Sequence, residues 1–341
     1  MKEKKSAKNR PLIGITCGDL NGIGMEVTMK ALMDNRALQQ FTPVILASGK
    51  IISFYRKHLK LDDFSYFHTD NIKKTNPKKV NVLNVWNDSI ELTPGSPNKS
   101  AADYTIKSLD KGVELLKSND IDALVTAPLN KNLVQTEEFN FPGHTEYLAA
   151  AFDQDDSLMF MVNEQVKVGV VTGHMPLSKV SESISEDLII SKASMMISSL
   201  KKDFGISKPK IAVLGLNPHA GEDGLLGDEE AKVITPAINK LKEQGNVVFG
   251  PFPADGFFGS GQYANFDGIL AMYHDQGLIP FKYMSFGGGV NFTSGLPFVR
   301  TSPDHGTAYN LVGKSVADSS SMIAAIYTAL DIVKCRQEYQ N

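Results

Sequence analysis

An α/β protein with a largely parallel central sheet is predicted by two observations: short apolar runs alternate with amphipathic stretches, and polar or glycine-rich turns separate them. PLIGIT at 11–16 reads as a strand, followed by the glycine-bearing turn GDLNGIG and a helix near 23–34. PVILAS at 43–48 is a second strand. Ala102, Ile106, Leu109, Val113 and Leu116 recur at helical spacing within 101–117. DALVTA at 122–127 is a strand ending in a polar turn. VKVGVVTG at 166–173, KIAVLGL at 210–216 and DGILAMY at 267–273 are three further strands, each with a histidine soon after it. Helices are predicted over 185–203, 229–244 and 318–334. The segment 68–100, rich in Asn, Lys, Pro and Ser, is expected to be an open connection. No repeat of fixed period is present.

With 341 residues and 42% hydrophobic content, the chain can bury a sizeable core, and its length suggests two domains. Thirty-five basic residues against 38 acidic ones leave a net charge of −3, which supplies no global attraction for nucleic acid or an anionic membrane. Two cysteines, Cys17 and Cys335, make no disulfide framework and point to a reducing, cytoplasmic setting. MKEKKSAKNR is basic without an apolar run behind it, so it reads as a solvated tail rather than a secretory signal. No apolar run approaches the ~20 residues of a membrane span.

Ligands of open α/β sheets bind beyond the carboxyl ends of the strands, so polar residues there carry the chemistry. VVTGHMP, LGLNPHAGEDG and LAMYHDQG place His174, His219 and His274 just past three strands. Three imidazoles converging on a divalent metal, with a coordination position left open, would form a catalytic site. Alternatively, each histidine hydrogen-bonds only within its own turn. PGHTEYLAAAF places His144 and Thr145 at a helix start, with Thr145 as the N-cap and free N–H groups suited to phosphate or to plain capping. Lys282, Asn291 and Arg300 flank the glycine-rich SFGGGVNFTSGLPFVRTS. Arg300 offers a bidentate fork for a carboxylate or phosphate, or else is simply solvated. Asp255 is either a charged partner of Lys282 or an Asx-turn residue. GDLNGIG lacks GK[ST] and does not match GxGxxG, so neither a P-loop nor the usual dinucleotide fingerprint is present.

The blocks GDLNGIG (18–24), VTAPLNK (125–131), PGHTEYLA (142–149), VTGHMPL (171–177), NPHAGEDG (217–224), PADG (253–256), YHDQGLIPFK (273–282) and HGTA (305–308) resemble those of the 4-hydroxythreonine-4-phosphate dehydrogenase family of pyridoxal phosphate biosynthesis. The resemblance runs from about 11 to 335. It implies a two-lobed fold like that of isocitrate and isopropylmalate dehydrogenases, with lobes of 1–132 plus 292–341 and 133–291. It also implies a homodimer with its sites at the interface. The family's metal histidines fall on His174, His219 and His274, with zinc the leading ion and magnesium, manganese or cobalt as alternatives. Its substrate contacts fall on His144, Thr145, Lys282, Asn291 and Arg300. SPDHGTAYNLVGK resembles the adenosine-binding loop of the wider fold, which assigns His305, Thr307 and Asn310 to NAD or NADP. The implied reaction is oxidation and decarboxylation of 4-phosphooxy-L-threonine to 3-amino-2-oxopropyl phosphate, with Lys282 and Asp255 as the base pair. Oxidation of a threonate or erythronate 4-phosphate is the alternative. Leu20, Asn21 and Met25 depart from the family's usual GDPAGIGPE, which alters that loop and leaves the metal and substrate residues intact.

Overall fold

A computed structural model describes residues 10–135, 141, 143–154 and 156–339, and the basic stretch at 1–9 lies outside them. The chain separates into two compact units, Met1–Leu148 with Phe298–Val333 and Ala149–Pro297 with Lys334–Asn341. These divisions fall later than the 132 and 291 expected. The last residues also group with the second unit rather than the first. In chain order the described strands are β1 (Leu12–Thr16), β2 (Thr42–Ala47), β3 (Tyr66–Thr69), β4 (Val80–Asn84), β5 (Ala123–Val125) and β6 (Leu158–Val162). Then follow β7 (Lys167–Thr172), β8 (Lys210–Leu214), β9 (Val247–Phe252), β10 (Gly268–Tyr273), β11 (Val290–Ser294) and β12 (Val299–Pro303).

The first unit orders its strands β3-β4-β2-β1-β5-β12, all parallel. Strands covered on both faces are apolar throughout, and Ile13, Ile15, Val44, Ile45, Leu46, Leu124 and Val125 are fully buried. The helix Lys99–Lys117 begins where Asn98 accepts a hydrogen bond from Ser100 N (2.9 Å), and it buries Leu109, Val113 and Leu116. β4 lies inside the segment expected to be open. The buried Asn81 makes this possible, because its amide donates to the carbonyls of Pro43 (3.2 Å), Asn76 (3.0 Å) and Lys79 (2.9 Å). A polar residue so satisfied can stand inside a strand that its composition disguises.

The second unit orders its strands β11-β6-β7-β10-β8-β9. β6 runs antiparallel to β11 and β7, whereas β7, β10, β8 and β9 are parallel. Val168, Val170, Ala212, Leu214, Ile269 and Ala271 form its core with Leu278 and Phe281 of the helix His274–Ser285. Gly277 lets that helix approach closely, since a Cβ there would stand 2.8 Å from Val168 Cγ1 and 3.0 Å from Ala271 Cβ. The consequence is functional. β7, β10 and β8 are parallel neighbours, so the segments bearing His174, His274 and His219 leave the same edge of the sheet. Among the described residues, no helix is long and apolar enough to cross a membrane.

Candidate active site

His274 opens the helix that follows β10, and His174 follows β7 by two residues. Their rings lie 5.4 Å apart, centroid to centroid. They line a pocket of about 420 Å³ with Met175, Val180, Tyr273 and Asp275. Asp275 Oδ1 is 2.8 Å from His274 Nδ1, which fixes the ring and leaves Nε2 as the available nitrogen. Two imidazoles, one oriented by a carboxylate, match the donor chemistry of a divalent transition metal. His219 follows β8 on an exposed turn and is not among the residues lining this pocket. Among the described residues, no group of three or more His, Cys, Asp or Glu is placed to hold a metal. The convergence of three histidines thus stands at two.

In the first unit, Arg300 on β12 is 2% exposed. Its Nε and Nη2 donate to Thr126 Oγ1 at 3.0 and 2.7 Å. Burial pushes the guanidinium pKa down to about 10, and Glu146 opposes that shift, so Arg300 is cationic at neutral pH. Burial, then the charges of Arg300 and Lys131, hold His144 well below its ordinary value. His144 is therefore neutral at pH 7 and stands among cations. The helix begins at His144, so Thr145 is its second residue and not the cap expected of it. Sequence reasoning placed Glu146 beside His144 and Thr145 at the helix start and did not single out Lys131 or Thr126. Both of these lie inside a quoted block, yet nothing in their spacing separates a ligand from a turn residue.

Asn291 on β11 pairs with Met161, and its Oδ1 is buried without a hydrogen-bond partner. Such an acceptor is expensive unless a ligand satisfies it. Lys282 is exposed in the last turn of its helix, and Asp255 is exposed in the short helix Ala254–Gly259 rather than in a turn.

The HGTA loop is anchored to the first glycine-rich turn. Ile23 N donates to Thr307 O (3.0 Å), and a Cβ at Gly22 would stand 2.9 Å from that oxygen. The Tyr309 hydroxyl donates to Asp19 Oδ2 and accepts from Asn130 Nδ2 (3.0 Å). Burial, then Asp19, pushes the Tyr309 pKa up to about 12. His305 Nδ1 lies 3.1 Å from Gly306 O, while its Nε2 is buried without a protein partner, as a ring awaiting a ligand donor would be. Thr307 is half-buried and Asn310 is exposed. GDLNGIG therefore supports the loop, a role its glycine spacing did not disclose.

A largely parallel α/β scaffold thus carries a buried cation, Arg300, in one unit and paired imidazoles in the other. Residues 39–329 match the family model described as pyridoxal phosphate biosynthetic protein PdxA. The chain is 44% identical to a 4-hydroxythreonine-4-phosphate dehydrogenase of Bacteroides thetaiotaomicron, across 97% of this chain and 91% of that one. A crystal structure of a 4-hydroxythreonine-4-phosphate dehydrogenase from Klebsiella pneumoniae superposes with a TM-score of 0.82 at 32% identity, covering 96% of this chain and 99% of that one. Terephthalate 1,2-cis-dihydrodiol dehydrogenase from Burkholderia xenovorans LB400 shares the fold, with a TM-score of 0.64 at 22% identity over 95% and 98% of the two chains. The chain belongs to the 4-hydroxythreonine-4-phosphate dehydrogenase family, a family of oxidoreductases.

Proposed function

We propose that the chain oxidises the 3-hydroxyl of 4-phosphooxy-L-threonine with NAD⁺ and releases CO₂, giving 3-amino-2-oxopropyl phosphate. The observation that carries this reading is family membership along nearly the whole chain. Arg300, His144 and Thr145 hold the anionic groups of the substrate, and the buried guanidinium supplies fixed charge that needs no rearrangement. Asn291 donates to or accepts from the substrate through an amide whose oxygen has no other partner. Lys282, paired in role with Asp255, takes the proton of the hydroxyl. His305, Thr307 and Asn310 hold NAD, or NADP in its place.

His174 and His274, joined by His219, would hold a divalent ion. Zinc is the first choice for imidazole ligands, with magnesium, manganese and cobalt as alternatives. When bound, the ion supplies Lewis acidity at the hydroxyl and the nucleotide supplies a hydride acceptor. We further propose a homodimer with the sites at its interface. Ile279, Tyr283 and Phe286 are 66, 77 and 86% exposed in and just beyond the helix bearing His274 and Lys282, and a second copy would cover them. The deciding experiment measures NADH formation by purified protein on 4-phosphooxy-L-threonine and on threonate and erythronate 4-phosphates. Preference for the first is expected. A higher kcat/KM on either of the others would overturn the substrate assignment.

A further inference from the structure

The turn bearing His219 bends against the usual hand of L-residues. His219, Ala220, Gly221, Glu222 and Asp223 have φ of 53, 52, 82, 42 and 54°, and only one of the five is glycine. Left-handed backbone at consecutive non-glycine residues persists only where the surroundings over-determine it. Two adjacent carboxylates brace the segment that leads into it. Glu230, 5% exposed, accepts from Leu216 N and Asn217 N through Oε1, both at 2.7 Å, and from Asn217 Nδ2 through Oε2 at 2.9 Å. Glu229 accepts from the same Asn217 Nδ2 (2.7 Å) and from Ser181 Oγ (2.6 Å).

The glycines of the turn are fitted to this arrangement. A Cβ at Gly221 would stand 2.7 Å from Glu230 Oε2, and one at Gly215 would stand 3.0 Å from Glu230 Oε1. Glu230 opens a π-helical turn, Glu230–Ile234, a distortion frequent at functional sites. Ser181 directly follows Val180, which lines the His174 pocket. The two carboxylates thus bind the chain two residues before His219 and also reach the segment that follows His174.

We propose that Glu229 and Glu230 are positioning residues: they brace the left-handed turn that carries His219 and tie it to the segment following His174, and metal binding through His219 depends on that brace. This rests on the metal role given to the histidines above. Asn217 is the shared hinge of the arrangement, and neither glutamate needs to touch the ion.

The test titrates Zn²⁺ into chelator-stripped full-length protein by calorimetry. It compares the native chain with Glu230→Gln, Glu229→Gln, His219→Ala and the double variant His219→Ala/Glu230→Gln, all held below their melting temperatures. Either glutamate variant is expected to weaken Zn²⁺ binding by about 10–100-fold, the usual cost of losing an orienting partner. Glu230→Gln should also hasten hydrogen exchange at the Leu216 and Asn217 amides. Because the effect passes through His219, the double variant should bind no more weakly than His219→Ala alone. If His219→Ala weakens binding while both glutamate variants stay within about twofold of native, the positioning role is overturned and the metal reading survives. If His219→Ala itself binds Zn²⁺ like the native chain, the metal reading of His219 is what fails. Should Glu230→Gln not fold, Glu229→Gln, whose carboxylate is less buried, decides the question alone.

Discussion

Two regions of this molecule present a charged group or imidazoles, and they are built in opposite ways. Arg300 stands in a strand, 2% exposed, with its guanidinium tied to Thr126. The histidines stand past the ends of strands, with His174 and His219 exposed and the turn of His219 in left-handed backbone. The first arrangement fixes a charge by burying it in the core, and the second holds an imidazole by bracing a turn from outside. The difference suits the tasks proposed for them. An anion needs a charge that is already in place, whereas a metal needs lone pairs that can be brought to one point.

The largest expected effect lies on the histidine side. His274→Ala removes a ring held 5.4 Å from that of His174. Metal affinity and turnover should fall together, by more than the roughly 10–100-fold that losing an orienting partner costs. Calorimetry with Zn²⁺ and an NADH assay read both losses, and full activity in the variant would remove the pair from the site. Arg300→Lys tests the other region. It keeps the charge but loses the planar fork and a donor to Thr126, so kcat/KM should drop by roughly 10–100-fold, the equivalent of about 1.4–3 kcal/mol. Steady-state kinetics with varied substrate measure this, and unchanged kinetics would deny Arg300 any part in binding.

Asp275→Asn should be milder than loss of His274, because the ring stays and only its orientation at 2.8 Å weakens. A fall in Zn²⁺ affinity near the lower end of that 10–100-fold range is expected, and no change would leave the carboxylate without an orienting role. The smallest effect concerns pH. Burial, then Arg300 and Lys131, lowers the His144 pKa well below 6.5 in the folded chain. The folded state therefore resists protonating this ring. Its contribution to stability is intact above pH 6.5 and is lost as pH falls from there towards the folded-state value. His144→Gln should flatten the decline of Tm between neutral and mildly acidic pH, and an unchanged slope would contradict the assignment.

The same contrast explains how much was legible in the amino-acid order. β1, β2, β7, β8 and β10 are apolar runs that must be buried, and their positions follow from composition and turn chemistry. β4 is hidden because Asn81 looks like a loop residue until its three carbonyl acceptors are assembled. The site histidines were visible as strand-end residues. The left-handed turn was not, since Ala220, Glu222 and Asp223 carry no local preference strong enough to announce it. Glu229 and Glu230 brace its approach, reaching back to Asn217 from beyond the turn. Similarly, nothing in GDLNGIG announces support of the HGTA loop, because its partners Thr307 and Tyr309 lie almost 300 residues away, as the Asp19–Tyr309 separation of 290 illustrates.

The proposed reaction couples oxidation and decarboxylation at a metal held by histidines. It is checked most directly by incubating the metal-loaded protein with 4-phosphooxy-L-threonine and NAD⁺ and measuring NADH and CO₂ together. The two are expected to form in equal amounts, and both are expected to be lost on chelation or in His274→Ala. NADH without CO₂, or undiminished formation of both after the metal is stripped, would contradict it.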